Sequence, residues 1–400
     1  MAAASGGAGG RGGARLTRPA GIEARRADRT EAGARFFDAE AERIAQLCHA
    51  MAERFAAGGR LIAAGASPAA RSDARHVAVE FVHPVIVGKK ALPAIGLAGE
   101  GGPLAAQVAL TAEPADIVMA FEADPAALSV AAARGCLTIG YPAAGAQWSF
   151  DPPSEDPFVR QELVETLYHL LWELVHVFFE HRGLLSGRTH DTGASAFLYP
   201  FLGSAPPDVD AVVADVAASV RMKAAETVEL REQTLSDGRE AIDAAAAMLR
   251  ERFDAGGRLL VLGNGGSATD AMDVAADFRH PPGGWRPRPV LDLTEDAAIL
   301  TALANDIGVE AIFARQVIAH GRASDALLAI STSGGSGNVL AALAEARRRG
   351  LATIALVGYD GGEIAAQARA DHVVVTRSQH IPRIQEAQAS AYHVLRELVG

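Results

Sequence analysis

The stretch LLVLGNGGSATDAMDVAADF, residues 259–278, starts as an apolar strand, turns through Gly263, Gly265 and Gly266, and continues as an amphipathic helix. That order surrounds the turn with the free backbone N–H groups of a helix N-terminus, an arrangement that holds anions. The first turns of such a helix are also where a histidine or glutamate would act on the ligand. Asp273 and Asp277 stand there instead. Whether the chain transforms what it binds therefore depends on residues elsewhere.

Comparing the chain with itself locates them. MAERFAAGGRLIAAG (51–65) aligns without gaps on LRERFDAGGRLLVLG (249–263). After a one-residue slip, DARHVAVEFVHP (73–84) lies on DAMDVAADFRHP (270–281), and QELVETLYHLLWELV (161–175) lies on QEAQASAYHVLRELV (385–399). Matching segments in the same order imply two copies of one domain, at 36–185 and 208–400, with a linker at 186–207 and a disordered Gly, Ala and Arg-rich tail at 1–35. In the second copy, apolar runs such as RLLVLG, DALLAIS and LATIALVG alternate with helical patterns, as in a parallel sheet covered on both faces. The expected fold is α/β: two doubly wound domains, each a five-stranded parallel sheet flanked by helices. Ligands should gather at the carboxyl ends of the strands.

Composition sets the outer limits. The 400 residues are 49% hydrophobic and 21% charged, and no apolar run approaches the roughly 20 residues that span a bilayer. The start of the chain lacks the apolar segment of a secretory signal. Two cysteines, Cys48 and Cys136, cannot build a disulfide framework, which fits a reducing cytoplasm. A net charge of −11 argues against a nucleic-acid surface and means that an anionic substrate must be held by local donors.

A second loop, STSGGSGN (331–338), supplies such donors: Ser331, Thr332, Ser333 and Ser336 precede another helix. Gly263, Gly265 and Ala268 also satisfy a dinucleotide pattern, with Asp292 ending the next strand where a ribose-binding acid would lie. Four hydroxyls at a second helix N-terminus suit a phosphate monoester better. Phe55, Trp172 and Phe253 read as core, while His83 and His280, each before a proline, read as helix ends.

Through GNGGSATDA, ANDIGVEAIFARQV (304–317), STSGGSGNV, GYDGG and RIQEAQASAYH, the second copy resembles a sugar isomerase (SIS) domain, and within that group the phosphoheptose isomerases. The resemblance implies conversion of sedoheptulose 7-phosphate into D-glycero-D-manno-heptose 7-phosphate. It places substrate contacts on Asn264, Gly265, Gly266, Ser267, Asn305, Asp306, Ser331, Thr332, Ser333, Ser336 and Gln385. It also implies a divalent metal, zinc in the first instance, held by a His and a Glu four apart on one helix and a Gln and a His eight apart on another.

The second copy offers Asp273, Asp277, Gln385 and His393 for that set, whereas the first offers His76, Glu80, Gln161 and His169. The first copy in turn carries GASPAARS and FEADP where the phosphate loops belong. Each copy keeps what the other lost, so the expectation is a composite site: phosphate on the second copy, metal on the first, Glu80 as base and His169 as its acid/base partner. A homodimer of four domains is expected. The alternative reading is a sugar-phosphate sensor without turnover.

Overall fold

The computed structural model describes residues 21–86, 88–122, 125–141, 145–180 and 208–400. The proposed linker at 186–207 and the first 20 residues of the proposed tail lie outside them. The first domain runs α1 (Gly21–Ala56), β1 (Leu61–Ala64), α2 (Pro68–Val82), β2 (Ala94–Leu97), α3 (Leu104–Thr111), β3 (Ile117–Phe121), α4 (Pro125–Ala133), β4 (Leu137–Tyr141), β5 (Trp148–Ser149) and α5 (Pro157–Glu180). The second opens with α6 (Val209–Asp237), α7 (Arg239–Asp254), β6 (Leu259–Leu262), α8 (Gly266–Arg279), β7 (Val290–Asp292) and α9 (Ala297–Asp306). It continues with α10 (Ile312–His320), β8 (Ala326–Ser331), α11 (Gly337–Arg348), β9 (Ala352–Gly358), α12 (Gly362–Ala366), β10 (His372–Thr376) and α13 (Ile381–Val399).

Both sheets are five-stranded and parallel, in the orders β2-β1-β3-β4-β5 and β7-β6-β8-β9-β10. The two orders superpose copy on copy, as the repeat requires. Alternate residues of a strand face opposite sides, and both sides are apolar here. Leu61 and Ala63 of β1 enter one core while Ile62 and Ala64 enter another. Leu259 and Val261 of β6 are divided from Leu260 and Leu262 in the same way. Continuous apolar runs, rather than alternation, follow from covering both faces with helices.

One expectation is corrected. Residues 21–35 are not tail but the first turns of α1. Ile22 joins the core of the second domain, and buried Arg25 and Arg29 pair with Glu397, with Arg29 also bonded to Glu162. The Gly, Ala and Arg composition hid this, because the carboxylates that accompany these two guanidinium groups into the core, Glu162 and Glu397, lie far along the chain. α6 returns the exchange: its Val212, Val216 and Val220 pack into the first domain while its Leu235 serves the second. Two helices thus straddle both domains. Trp172 is fully buried, Phe55 and Phe253 nearly so, and His83 and His280 cap the carboxyl ends of α2 and α8.

Candidate functional site

The two helices that follow the first strands, α2 and α8, pack on one another at the seam between domains, with α5 and α13 beside them. Side chains from all four helices form two buried polar clusters related by the internal repeat. In the first, His76 Nε2 of α2 lies 3.4 Å from His169 Nε2 of α5 and 3.1 Å from Gln385 Nε2 of α13. Glu80 Oε1 is 3.9 Å from the same His76 nitrogen, and a carboxylate oxygen of Glu165 lies within 4.8 Å of nitrogens of both histidines.

The second cluster gathers Asp273 and Asp277 of α8, His393 of α13 and Gln161 of α5. His393 Nε2 is 3.4 Å from Asp273 Oδ2 and 3.4 Å from Asp277 Oδ2. Gln161 Nε2 donates to Asp273 Oδ1 over 2.7 Å.

The glutamines have therefore changed places relative to the expected quartets. Gln161 does not join His76, Glu80 and His169; Gln385 does. Gln385 correspondingly does not join Asp273, Asp277 and His393. The reason is geometric: residues eight apart on one helix are about 12 Å apart along its axis. One ion cannot be reached from both ends of that span, so each long helix serves both clusters.

Three acceptors in the first cluster, Glu80 Oε2, Glu165 Oε1 and Gln385 Oε1, have no hydrogen-bond partner although buried. Burial, with His169 next to it, holds His76 well below the ordinary histidine range, so its ring is neutral with a lone pair to give. Two imidazoles and a carboxylate converge in this way, and the Gln385 carboxamide, which turns its Nε2 to His76, would offer its unpartnered oxygen after a half-turn about its last bond; that set fits a zinc-like ion. Both nitrogens of His169 are engaged, Nε2 toward His76 and Nδ1 with Glu386 Oε1 at 3.0 Å. That suits a ligand oriented from behind by a carboxylate.

The glycine-rich loop at 263–267 of the second domain borders this cluster. A Cβ placed on Gly266 would stand 2.0 Å from Gln385 Nε2 and 3.0 Å from His76 Nε2, so only glycine lets the loop approach so closely. Gly265 next to it has φ 58° and ψ −124°, a conformation left to glycine. Asn264 and Asn338 tie the first loop to the second by reciprocal carboxamide hydrogen bonds of 2.9 Å each. Ser331 Oγ accepts from Gly334 N, and Ser333 Oγ from Gly335 N. Ser336 occupies the N-cap of α11 without a side-chain capping bond, and its Oγ lies 3.5 Å from Ser333 Oγ. Buried Ser267 is the second residue of α8, and Thr332 follows directly on β8, its carbonyl accepting from Gly358 N.

Asn305 and Asp306 are exposed at the end of α9 and bond to each other. Among the described residues no hydrogen bond joins them to the loops. Asp292 Oδ1 accepts from Thr294 N and Oγ1, both at 2.7 Å, so the carboxylate is oriented by its own turn.

Sequence reasoning missed Glu165, which enters the first cluster, and Glu162 and Glu386, which orient His393 and His169 from the opposite domain. A signal for the latter pair was present: QE followed by YH recurs in both copies.

Comparison with known proteins places these features. The family described as SIS domain matches residues 224–358. Phosphoheptose isomerase from Thermodesulfovibrio yellowstonii is 38% identical over 186 residues, covering 46% of this chain and 92% of that protein. The chain belongs to the phosphoheptose isomerase family. The corresponding protein of Chlorobaculum tepidum is 43% identical over 176 residues, 43% of this chain and 84% of its own length. The remainder of the chain finds its parallel in fold alone. The C-terminal domain of glucosamine-fructose-6-phosphate aminotransferase from Francisella tularensis covers 95% of both chains with a TM-score of 0.56 at 10% identity. Tagatose-6-phosphate ketose/aldose isomerase from Escherichia coli covers 96% of this chain and 94% of its own, with a TM-score of 0.54 at 13% identity.

Proposed function

We propose that this chain is a sugar-phosphate aldose-ketose isomerase acting on sedoheptulose 7-phosphate and releasing D-glycero-D-manno-heptose 7-phosphate. The observation that carries the reading is the approach of Gly266, in the phosphate loop of one domain, to His76, on the ligand helix of the other. The relatives named phosphoheptose isomerase support the choice of substrate.

Ser267, Ser331, Thr332, Ser333 and Ser336, with the backbone N–H groups at the starts of α8 and α11, anchor the phosphate. A divalent ion, zinc in the first instance, held by His76, His169, Gln385 and Glu165, would polarise the sugar's carbonyl and neighbouring hydroxyl. Glu80 is the base. Burial pushes its carboxyl up to about 7, where a group can both take and return a proton near neutrality. In a cis-enediol both reacting carbons present the same face, so one carboxylate removes the proton from one carbon and delivers it to the next.

The reading takes the working form as a homodimer in the cytoplasm. Cys48 and Cys136 are both free and buried, which suits a reducing compartment. No helix among the described residues is long and apolar enough to cross a membrane.

Full-length protein supplied with zinc and incubated with sedoheptulose 7-phosphate should yield the aldose heptose phosphate, followed by chromatography of the sugar phosphates. A chain that binds the ketose tightly yet forms no product would be a sensor instead.

A further inference from the structure

We infer that the cluster of Asp273, Asp277 and His393 is a second divalent-cation site of different chemistry, taking a hard ion such as Mn²⁺. Two ligand atoms about 2.1 Å from one ion stand about 3.0 to 3.4 Å apart in octahedral to tetrahedral arrangements. His393 Nε2 is 3.4 Å from a carboxylate oxygen of each aspartate, and the three ligand atoms all lie within 4.8 Å of one another. Asp277 Oδ2 and His393 Nε2 are buried and have no hydrogen-bond partner. His393 Nδ1 is 2.9 Å from Glu162 Oε1, which places a hydrogen on Nδ1, so that Nε2 faces the aspartates either with a second proton or, once that proton is displaced, with a lone pair for an ion. Two carboxylates and an imidazole turned inward on one point need a positive charge between them, and a divalent ion that displaces the His393 proton supplies it.

The supporting shell is also built. Asp273 is held by Gln161, by Ser72 Oγ at 3.1 Å and by Tyr392 OH at 2.9 Å. Such outer partners orient ligands at metal sites. Two carboxylates and one imidazole, completed by water, favour Mn²⁺ or Mg²⁺ over the softer set of two imidazoles around His76. Water and ion have a route in: a cavity of ≈ 570 Å³ is lined by Asp277, Gln161, Asp73 and Glu122 together with Phe121 and Tyr141.

The cavity is not a second sugar-phosphate site. Glu122 follows β3 at the position that Ser331 takes at the end of β8, since Asp116 and Asp325 open the two strands with the same bonds to Arg60 and Arg258. A carboxylate there repels phosphate and attracts cations. Because Asp273 and His393 are held from the first domain by Gln161, Ser72 and Glu162, a bound ion ties α8 and α13 to α2 and α5.

The site is tested by stripping the full chain with a chelator and titrating Mn²⁺, with free ion counted by electron paramagnetic resonance. Wild type should hold two ions per chain, Asp277→Asn one and His76→Ala one, and Mn²⁺ should leave the unfolding temperature of the double variant His76→Ala/Asp277→Asn unchanged while raising that of His76→Ala. Wild type holding a single ion that His76→Ala removes would overturn the inference and leave a proton on His393 as the balancing charge. Crystals soaked in Mn²⁺ provide a readout that needs no variant: an anomalous peak within bonding reach of Asp277 and His393 is expected, and its absence at full His76-site occupancy would exclude the ion. Turnover plays no part in either count, so this inference and the isomerase reading fail separately.

Discussion

His169 Nδ1 meets Glu386 Oε1 at 3.0 Å, and the repeat mate of that bond, His393 Nδ1 to Glu162 Oε1, measures 2.9 Å. Each histidine is thus oriented by a carboxylate of the other domain, and neither cluster is complete within one copy. Carboxylates behind ligand histidines fix the tautomer and raise basicity, and their loss costs about 10- to 100-fold in metal affinity. Glu386→Gln should therefore weaken zinc binding by that factor, measured by competition with a chromophoric chelator. Undiminished affinity would mean that Arg383 and Thr227, which also contact Glu386, are its only business.

The exchange of glutamines gives a sharper test. Gln385→Ala should reduce turnover and zinc affinity together, because Gln385 faces His76 at 3.1 Å. Gln161→Ala should spare both, since Gln161 reaches Asp273 instead. The reverse result in steady-state kinetics would restore the single-helix quartet and contradict the arrangement of α5 and α13.

Gly266→Ala probes how closely the loop and the ligand helices fit. The added methyl group would fall 2.0 Å from Gln385 Nε2, so the side chain must leave its place beside His76. At least a roughly 10-fold loss of kcat is expected with sugar-phosphate affinity reduced less, because misplacing a ligand damages the reacting geometry more than the anion contacts. Equal losses in both, by calorimetry and kinetics, would show that the loop itself had collapsed.

Phosphate anchoring is assigned to hydroxyls, so Ser331→Ala and Ser333→Ala together should weaken sugar-phosphate binding by about 1 to 3 kcal/mol, the cost of lost hydrogen bonds to a charged group. Calorimetry with the ketose phosphate reads this directly. Unchanged affinity would leave the backbone donors as the whole anion site.

Much of this was legible in the sequence. The repeat, the parallel order of the sheets and the loops at the strand ends follow from short-range patterns: apolar runs, glycine turns and helical spacing. What escaped were relations that only packing creates. Arg25 and Arg29 looked like tail because their partners, Glu397 and Glu162, lie far along the chain. Gln161 looked like a companion of His169 because both occupy one helix face, although that face is long enough to serve two clusters. Glu165 has Ala389 as its mate in the repeat, so the comparison of copies gave no hint of it.

Acid stability should report a second buried network at the same seam. Glu173 of α5 lies 2.8 Å from Arg383 Nη2 and 2.6 Å from Lys223 Nζ. Burial alone would raise its pKa, but the two cations outweigh that and lower it to about 2. A carboxyl lowered in the folded state binds its proton more readily when unfolded. Its contribution is therefore complete above the unfolded value near 4.5 and is lost as pH falls through about 2. The shift corresponds to a contribution on the order of 3 kcal/mol at neutral pH. Glu173→Gln should then unfold at lower denaturant by about that free energy at neutral pH, with the gap to wild type narrowing steadily between pH 4.5 and pH 2. Other carboxylates titrate over the same range in both proteins, so the difference between the two curves isolates Glu173. A gap that stayed constant down to pH 2 would mean that the substitution had cost packing rather than charge, and that Arg383 is satisfied by Glu386 alone.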